Sequence, residues 1–104
     1  MDKFEVNNLL DFYGPLLTEK QRDICDYYFR EDYSLQEIAE IQGVSRSAVH
    51  DSVKRCIAEL SAYEEKLHCF ESYQKRMRLY EKIRKQANEE IGRLLDECIA
   101  TETD

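Results

Sequence analysis

The chain has 104 residues, enough for one compact domain with an appendage but too few for two domains with separate cores. Hydrophobic residues make up 42% of it and charged residues 36%, a balance that suits amphipathic helices better than an all-buried sheet or a disordered tail. With only three glycines and one proline, a few long helices joined by short loops are expected rather than a sheet protein with many turns. The net charge of −7 excludes a generally basic surface, so any contact with nucleic acid must come from a local patch.

The N-terminus, Met1 to Asn8, lacks both the cationic start and the apolar run of a signal peptide. No later stretch stays apolar for long enough to span a bilayer. We therefore expect a cytoplasmic protein without membrane insertion.

Four cysteines lie far apart in the sequence, with no C-x-x-C pair and only two histidines to assist them. This is not the spacing of metal ligands. Because each cysteine falls on an apolar stripe of a predicted helix, we expect reduced core residues and neither a metal nor a cofactor. The four are Cys25, Cys56, Cys69 and Cys98.

Two helices are predicted before residue 31. The first must end at Gly14-Pro15, because proline disfavours helical geometry in the residue before it. The second starts at a capping box, in which the side chains of Thr18 and Gln21 satisfy backbone N–H groups, and extends to about Arg30. The first carries Phe4, Leu9, Leu10, Phe12 and Tyr13, and the second is expected to bury Ile24, Cys25 and Tyr28, with Phe29 a further candidate.

A helix-turn-helix is predicted over residues 34 to 60. Ser34 and Glu37 form a second capping box, and Gly43 ends the helix that follows, where a left-handed residue is needed. Only Val44 separates Gly43 from Ser45, the next N-cap, so the second helix must leave at a steep angle and present its N-terminal half outward. The apolar face of the first helix is Leu35, Ile38, Ala39 and Ile41 or Gln42, and Val49 packs the second helix onto it.

From Ser45 onward there is no proline, and apolar residues recur in steps of three and four as far as Cys98, interrupted by Arg84. This period is typical of a helix-packing seam. An unbroken helix would reach roughly 75 Å, at about 1.5 Å per residue, so it must either fold back near residues 68 to 72 or meet another copy of the chain. The residues predicted to mediate self-association are Leu60, Tyr63, Leu67, Phe70, Met77 and Tyr80.

The predicted architecture is therefore all-α. A helical bundle over residues 1–62 contains the helix-turn-helix, and a C-terminal helical arm over residues 63–104 serves oligomerisation. We expect a homo-oligomer, most simply a dimer, because nothing else in so short a chain covers the seam.

The span from about residue 17 to 60 resembles region 4 of bacterial sigma factors. Over about residues 8 to 85 the chain is more similar still to the YlxM-type helix-turn-helix proteins of bacteria. The segments that carry this resemblance are Leu10 to Thr18, Tyr27-Tyr28, Asp32 to Leu35 and Ser45 to Asp51. The resemblance implies a regulatory protein, linked to the signal recognition particle pathway because the family's genes lie beside the gene for that particle's GTPase.

The candidate nucleic-acid contacts lie on the second helix of the helix-turn-helix. A sigma-like recognition helix is more densely basic, and Asp51 would repel phosphates unless it accepts a hydrogen bond from a cytosine amino group. Asp51 and Lys54 fit a solvated face equally well. The predicted contacts are Arg46, Ser47, His50, Asp51, Lys54 and Arg55, with Lys20 and Arg22 near phosphates.

A second basic concentration follows helical spacing further along the chain. It either holds a nucleic-acid backbone or solvates the outside of a coiled coil. Its members, which we call the arm stripe, are Lys75, Arg78, Lys82 and Lys85.

No Gly-rich phosphate loop and no recognisable nucleophile with its base occurs, so we expect no enzymatic activity. Two functions remain. One is a DNA-binding regulator that dimerises through its arm. The other is an adaptor that binds the signal recognition particle GTPase or its RNA through acidic helix faces and the arm stripe. A continuous positive surface across the turn and the recognition helix would favour DNA.

Overall fold

The computed structural model describes residues 1–103 of the chain. The backbone of this part contains six α-helices and no β-strand. The predicted all-α fold is confirmed. None of the helices in this range is both long and apolar enough to cross a membrane. They are α1 (Lys3–Tyr13), α2 (Glu19–Cys25), α3 (Leu35–Gln42), α4 (Arg46–Leu67), α5 (Cys69–Gln86) and α6 (Glu89–Ala100).

The contacts divide the chain into two units, Met1–His68 and Cys69–Asp104. From the sequence, the bundle was expected to end at residue 62. The boundary lies later because α4 runs without interruption to Leu67.

Helix α1 ends where the proline requires it. Asp2 caps its start by accepting a hydrogen bond from the backbone N–H of Glu5 at 2.8 Å. Gly14–Leu16 then forms one 3₁₀ turn with the proline in its first positions, a place where the missing N–H costs nothing. The predicted end of the first helix is confirmed.

Helix α2 starts at the predicted capping box and continues into a π-helical segment, Asp26–Arg30. A π turn holds one more residue than an α turn, so the buried side shifts by one position. Phe29 is therefore buried at 5% exposure, whereas Tyr28 is only partly buried, with Lys3 Nζ 4.8 Å from its ring centre. The expectation that Tyr28 lies in the core was wrong for this reason.

The helix-turn-helix forms as predicted. Ser34 and Glu37 make the second capping box, and Gly43 ends α3 with φ +67°. The backbone N–H groups of Gly43 and Val44 both donate to the carbonyl of Ala39. This carbonyl in the last turn of α3 therefore keeps hydrogen-bond partners although the helix ends at Gln42. Ser45 then caps α4 by accepting from the N–H of Ala48 at 3.1 Å.

In the core of the first unit, one side of each of the helices α1, α2 and α3 packs against α4. The long helix contributes Val49, Val53, Cys56 and Leu60, which we call the core stripe and which are at most 6% exposed. The elements that cover it supply Val6, Leu9, Leu10, Tyr13, Leu17, Ile24, Cys25, Phe29, Ile38 and Ala39.

The seam beyond Leu60 is not one continuous helix. His68 adopts a left-handed conformation with φ +54° and ends α4, within the segment where the sequence allowed a break. A second break, between α5 and α6, was not predicted. There Asn88 caps the start of α6 by accepting a hydrogen bond from the N–H of Ile91 at 2.9 Å. An Asn followed by two glutamates, here Glu89 and Glu90, is a pattern typical of a helix start.

Replacing Gly43 by Val should lower the free energy of unfolding by about 1 to 3 kcal/mol, because a β-branched residue tolerates a positive φ poorly. No neighbouring atom lies within 4 Å of a Cβ built there, so the loss comes from the backbone alone. Thermal denaturation measures it. Gly43→Asn is the matched control and should lose much less, since Asn adopts this conformation more readily. Equal melting temperatures for the two variants would contradict the assignment.

The second capping box should give stability a pH dependence. The backbone N–H of Ser34, donating at 3.0 Å, and then the Ser34 side chain lower the pKa of Glu37 from its ordinary value of 4.5. Because this pKa is lower in the folded chain than in the unfolded chain, the carboxylate's contribution is complete above pH 4.5 and is lost as pH falls through the folded value.

Urea unfolding at a series of acidic pH values measures this effect. Glu37→Gln should flatten the fall in stability below pH 4.5, while Ser34→Ala, which keeps the backbone donor, should flatten it less. An unchanged pH profile for Glu37→Gln would show that the carboxylate does not cap α3.

Candidate nucleic-acid interface

The first turns of α4 are held outward by local structure on both sides. The left-handed Gly43 turns the chain, and Ser45 in extended backbone conformation caps the helix one residue before Arg46. The first turn of α4 contains no acidic residue, so the positive end of its helix dipole is not neutralised there. This N-terminus is therefore suited to an anionic partner.

Five of the six predicted contact residues share one exposed surface. At about 100° per residue they span an arc of roughly 140° on α4, and the core stripe lies on the other side of the helix. All five are exposed. They are Arg46, Ser47, His50, Asp51 and Lys54, and we call them the recognition arc. The structure brings them together, and their contact with nucleic acid stays a prediction.

Arg55, the sixth predicted residue, lies at the edge of this arc and lines an open groove of about 560 Å³. The hydrogen bond from Gln21 Nε2 to Glu59 Oε1, 3.3 Å long, links α2 to α4 there. The basic side chains at the groove are Arg55 and Lys66, and the other lining residues are Leu16, Thr18, Gln21, Glu59, Ala62 and Tyr63. The sequence did not predict this groove, because it forms between segments that are distant along the chain.

The positive charge around the turn is not continuous. Helix α3 contains no lysine or arginine, and Glu37 and Glu40 are exposed on it. Residues 1–68 carry eight lysines and arginines against fourteen aspartates and glutamates. Within the recognition arc, Asp51 Oδ1 lies 3.6 Å from His50 Nδ1, a contact that becomes an ion pair when the histidine is protonated. The continuous positive surface that would favour DNA is therefore not found in residues 1–68, and any recognition of DNA must depend on a few cations.

The cysteines divide by burial. Cys56 is fully buried and its thiol donates to the carbonyl of Gln21 at 3.7 Å. Hydrogen bonding with Cys56 and burial raise the pKa of the Cys25 thiol, which keeps it protonated and unreactive. The expectation of a core position is confirmed for these two residues. It was wrong for Cys69, which is only half-buried, and for Cys98, which is exposed because α6 packs through Leu95 instead.

No three His, Cys, Asp or Glu side chains come together as a metal site anywhere in the described residues. The cysteines form no disulfide in that part of the chain.

A family model described as "Putative helix-turn-helix protein, YlxM / p13 like" matches residues 1–97. The chain belongs to this family, UPF0122. The resemblance to YlxM-type proteins is thereby confirmed. Similar members include UPF0122 proteins of Oceanobacillus iheyensis, 47% identical over 96 residues that cover 88% of this chain and 91% of the relative, and of Clostridium perfringens, 42% identical over 102 residues that cover 92% and 91%. The protein YofM of Lactococcus lactis is 48% identical over 80 residues, which cover 77% of this chain and 72% of the relative.

The residues predicted for self-association in this UPF0122 protein have different surroundings. Leu60 is fully buried, so the intramolecular core accounts for it. The Tyr63 ring stacks on that of Tyr13 at 5.8 Å, and Leu67 is 55% exposed. In the second unit the predicted residues are half-buried on α5, which packs against α6. These are Phe70, Met77 and Tyr80. A role in contact with a second copy stays a prediction.

Removing the carboxylate of the recognition arc should strengthen non-specific binding of duplex DNA. A charge about 6 Å from a phosphate is worth roughly 0.7 kcal/mol in water, which corresponds to about a threefold change in affinity. Asp51 is 76% exposed, so Asp51→Asn should not disturb the fold. Fluorescence anisotropy at low salt measures the effect, with Glu65→Asn on an exposed later turn of α4 as the control. Equal gains for both variants would mean that the arc does not face DNA.

Proposed function

We propose that this UPF0122 protein is a DNA-binding regulator of the helix-turn-helix class that acts in the cytoplasm as a homodimer and has no enzymatic activity. The observation that carries the proposal is the recognition arc. A recognition helix inserts its N-terminal residues into the major groove. In this chain the N-terminal residues of α4 that form the arc are polar and exposed, and Ser45 caps the helix.

The side chains have distinct roles in this proposal. Arg46 and Lys54 supply the cationic contacts to base edges, with guanine the preferred partner. Ser47 and His50 donate or accept at neighbouring bases, and Asp51 accepts from the amino group of cytosine. Arg55, together with Lys20 and Arg22, neutralises phosphates at the rim. Because the first unit is acidic overall, base contacts rather than general attraction must provide most of the discrimination.

In a dimer, the second copy supplies a second recognition arc. Two recognition helices related by a two-fold axis address two half-sites, which raises affinity without new contacts on either copy. A protein with few cations on each copy gains most from such pairing.

A second candidate is an adaptor in the signal recognition particle pathway, the role that the family resemblance implies. The observation that favours it is the charge distribution. The outer face of α3 is acidic next to Ile41, which is 50% exposed, while the arm stripe is exposed on α5. In this role the acidic face binds the particle's GTPase, and the arm stripe holds its RNA.

Binding to a sequence selected from random duplex DNA separates the two candidates. Arg46→Ala combined with Lys54→Ala should abolish binding of the selected sequence, whereas Lys75→Gln, Arg78→Gln and Lys85→Gln together should change it little. The readout is the dissociation constant measured over a series of salt concentrations. The mass of each variant in solution is measured in parallel, so that loss of the dimer is not mistaken for loss of DNA contact.

Two results would overturn DNA recognition. One is failure of the wild-type protein to bind or to select any duplex at low salt. The other is a salt slope that falls by about 0.7 to 0.9 for each cation removed from the arm stripe, while the Arg46 and Lys54 substitutions have no effect. That second result would support the adaptor, with the arm stripe on a phosphate backbone.

A further inference from the structure

The second unit exposes an apolar surface that lies apart from the residues predicted for self-association. Helices α5 and α6 are 18 and 12 residues long and pack as a hairpin, yet Leu95 is the one side chain among residues 69–102 that is nearly fully buried. Large apolar residues remain exposed: Leu79 at 56%, Ile83 at 46%, Ile91 at 44% and Leu94 at 56%. So little burial does not offset the entropy of ordering two helices.

These residues lie on the same side of the hairpin. Arg84 and Asp96 are joined by an ion pair of 2.7 Å, which marks one side. Leu79 lies five positions before Arg84, about 140° around α5, and Leu94 lies two positions before Asp96, about 200° around α6. Both therefore point away from the ion pair. The same helical spacing places Ile83, Ile91 and Cys98 on this side as well. We call the surface formed by Leu79, Ile83, Ile91, Leu94 and Cys98 the hairpin face.

The two edges of the hairpin face carry opposite charge. Helix α5 has six lysines and arginines and two glutamates, whereas α6 has four acidic residues and one arginine. Lys82 borders Leu79 on the outer edge of α5, and Glu90 and Glu97 border Leu94 on the outer edge of α6. None of these three forms an ion pair within the described residues, so their charges are available to a partner.

We propose that the hairpin face binds the same face of a second copy, forming a four-helix bundle in which each α5 packs antiparallel to α6 of the other copy. The proposal deepens the dimer of the proposed function and rests on it. A two-fold axis parallel to the helices places the basic edge of one hairpin on the acidic edge of the other. An in-plane axis across the helices would instead place basic α5 on basic α5, which is repulsive.

The register of the bundle follows from the ion pairs within one hairpin. Arg84 pairs with Asp96, and Arg76 Nε lies 2.9 Å from Glu102 Oε2, so residues whose numbers add to about 179 lie at the same height. By that register Lys82 is level with Glu97. Rotation about an axis parallel to the helices keeps heights unchanged, so Lys82 of one copy faces Glu97 of the second copy.

Light scattering and sedimentation of the full chain at tens of micromolar test the interface. The wild-type protein should have twice the mass of one chain. Leu94→Asp should raise the dimer dissociation constant at least about a hundredfold, because it places an unpaired charge in an apolar contact. Leu67→Asp separates this interface from the seam predicted from the sequence, since Leu67 belongs to that seam, has nearly the same exposure and lies outside the hairpin. If the hairpin face forms the dimer, the mass of Leu67→Asp should not change. Circular dichroism shows that each variant is folded.

Charge exchange tests the arrangement of the helices. Lys82→Glu should weaken the dimer, and Lys82→Glu combined with Glu97→Lys should restore it. A monomeric wild-type protein, monomers from Leu67→Asp but not from Leu94→Asp, or no rescue by the double exchange would each overturn the proposed bundle. DNA binding is measured separately with the Arg46 and Lys54 variants. A wild-type dimer that binds no duplex DNA at low salt would overturn the proposed function and leave the hairpin interface standing.

Discussion

Burial of the core stripe on α4 is the constraint on which the rest of the first unit depends. Val49, Val53, Cys56 and Leu60 recur at helical spacing and are almost completely removed from solvent. Each buried aliphatic side chain is worth roughly 1.5 to 3 kcal/mol, and none could be buried by α4 alone. Helices α1, α2 and α3 all pack on this one helix. Because a helix has a single rotation, fixing the core stripe inward also fixes the recognition arc outward.

The second half of α4 is tied to the N-terminal helix by one residue. Tyr13 is 1% exposed, its ring stacks on Tyr63, and its hydroxyl donates to Glu64 Oε1 at 2.5 Å. A buried tyrosine needs such a partner for its hydroxyl. The contact makes α1 a brace for α4 well beyond the helix-turn-helix. The recognition arc is thus carried by a helix whose rotation is set at several points along its length, a rigidity that the proposed contact with base edges would require.

Charge limits what this scaffold can do. With an acidic surplus in residues 1–68, long-range attraction to a nucleic-acid backbone is weak, so the proposed DNA recognition depends on a few well-placed contacts and on the proposed pairing of two copies. The second unit suits the pairing role, because its two helices bear opposite charge along the edges of an apolar face. Regulation of DNA and self-association would then be divided between the two units, with few residues serving both.

The sequence by itself determined the features that depend on neighbours within one turn of helix. Thr18 with Gln21, Ser34 with Glu37, Ser45, and Gly43 are local devices, and each occurs where the pattern predicted it. The recognition arc was readable for the same reason, since it follows from helical spacing after a known N-cap. Only the tertiary structure decided which apolar residues are covered. A π turn places Phe29 rather than Tyr28 in the core. Leu60, predicted for self-association, is buried in the core of its own chain, and the groove at Arg55 forms between α2 and α4. Periodicity shows that residues share a face, but what packs against that face depends on segments far away in the chain.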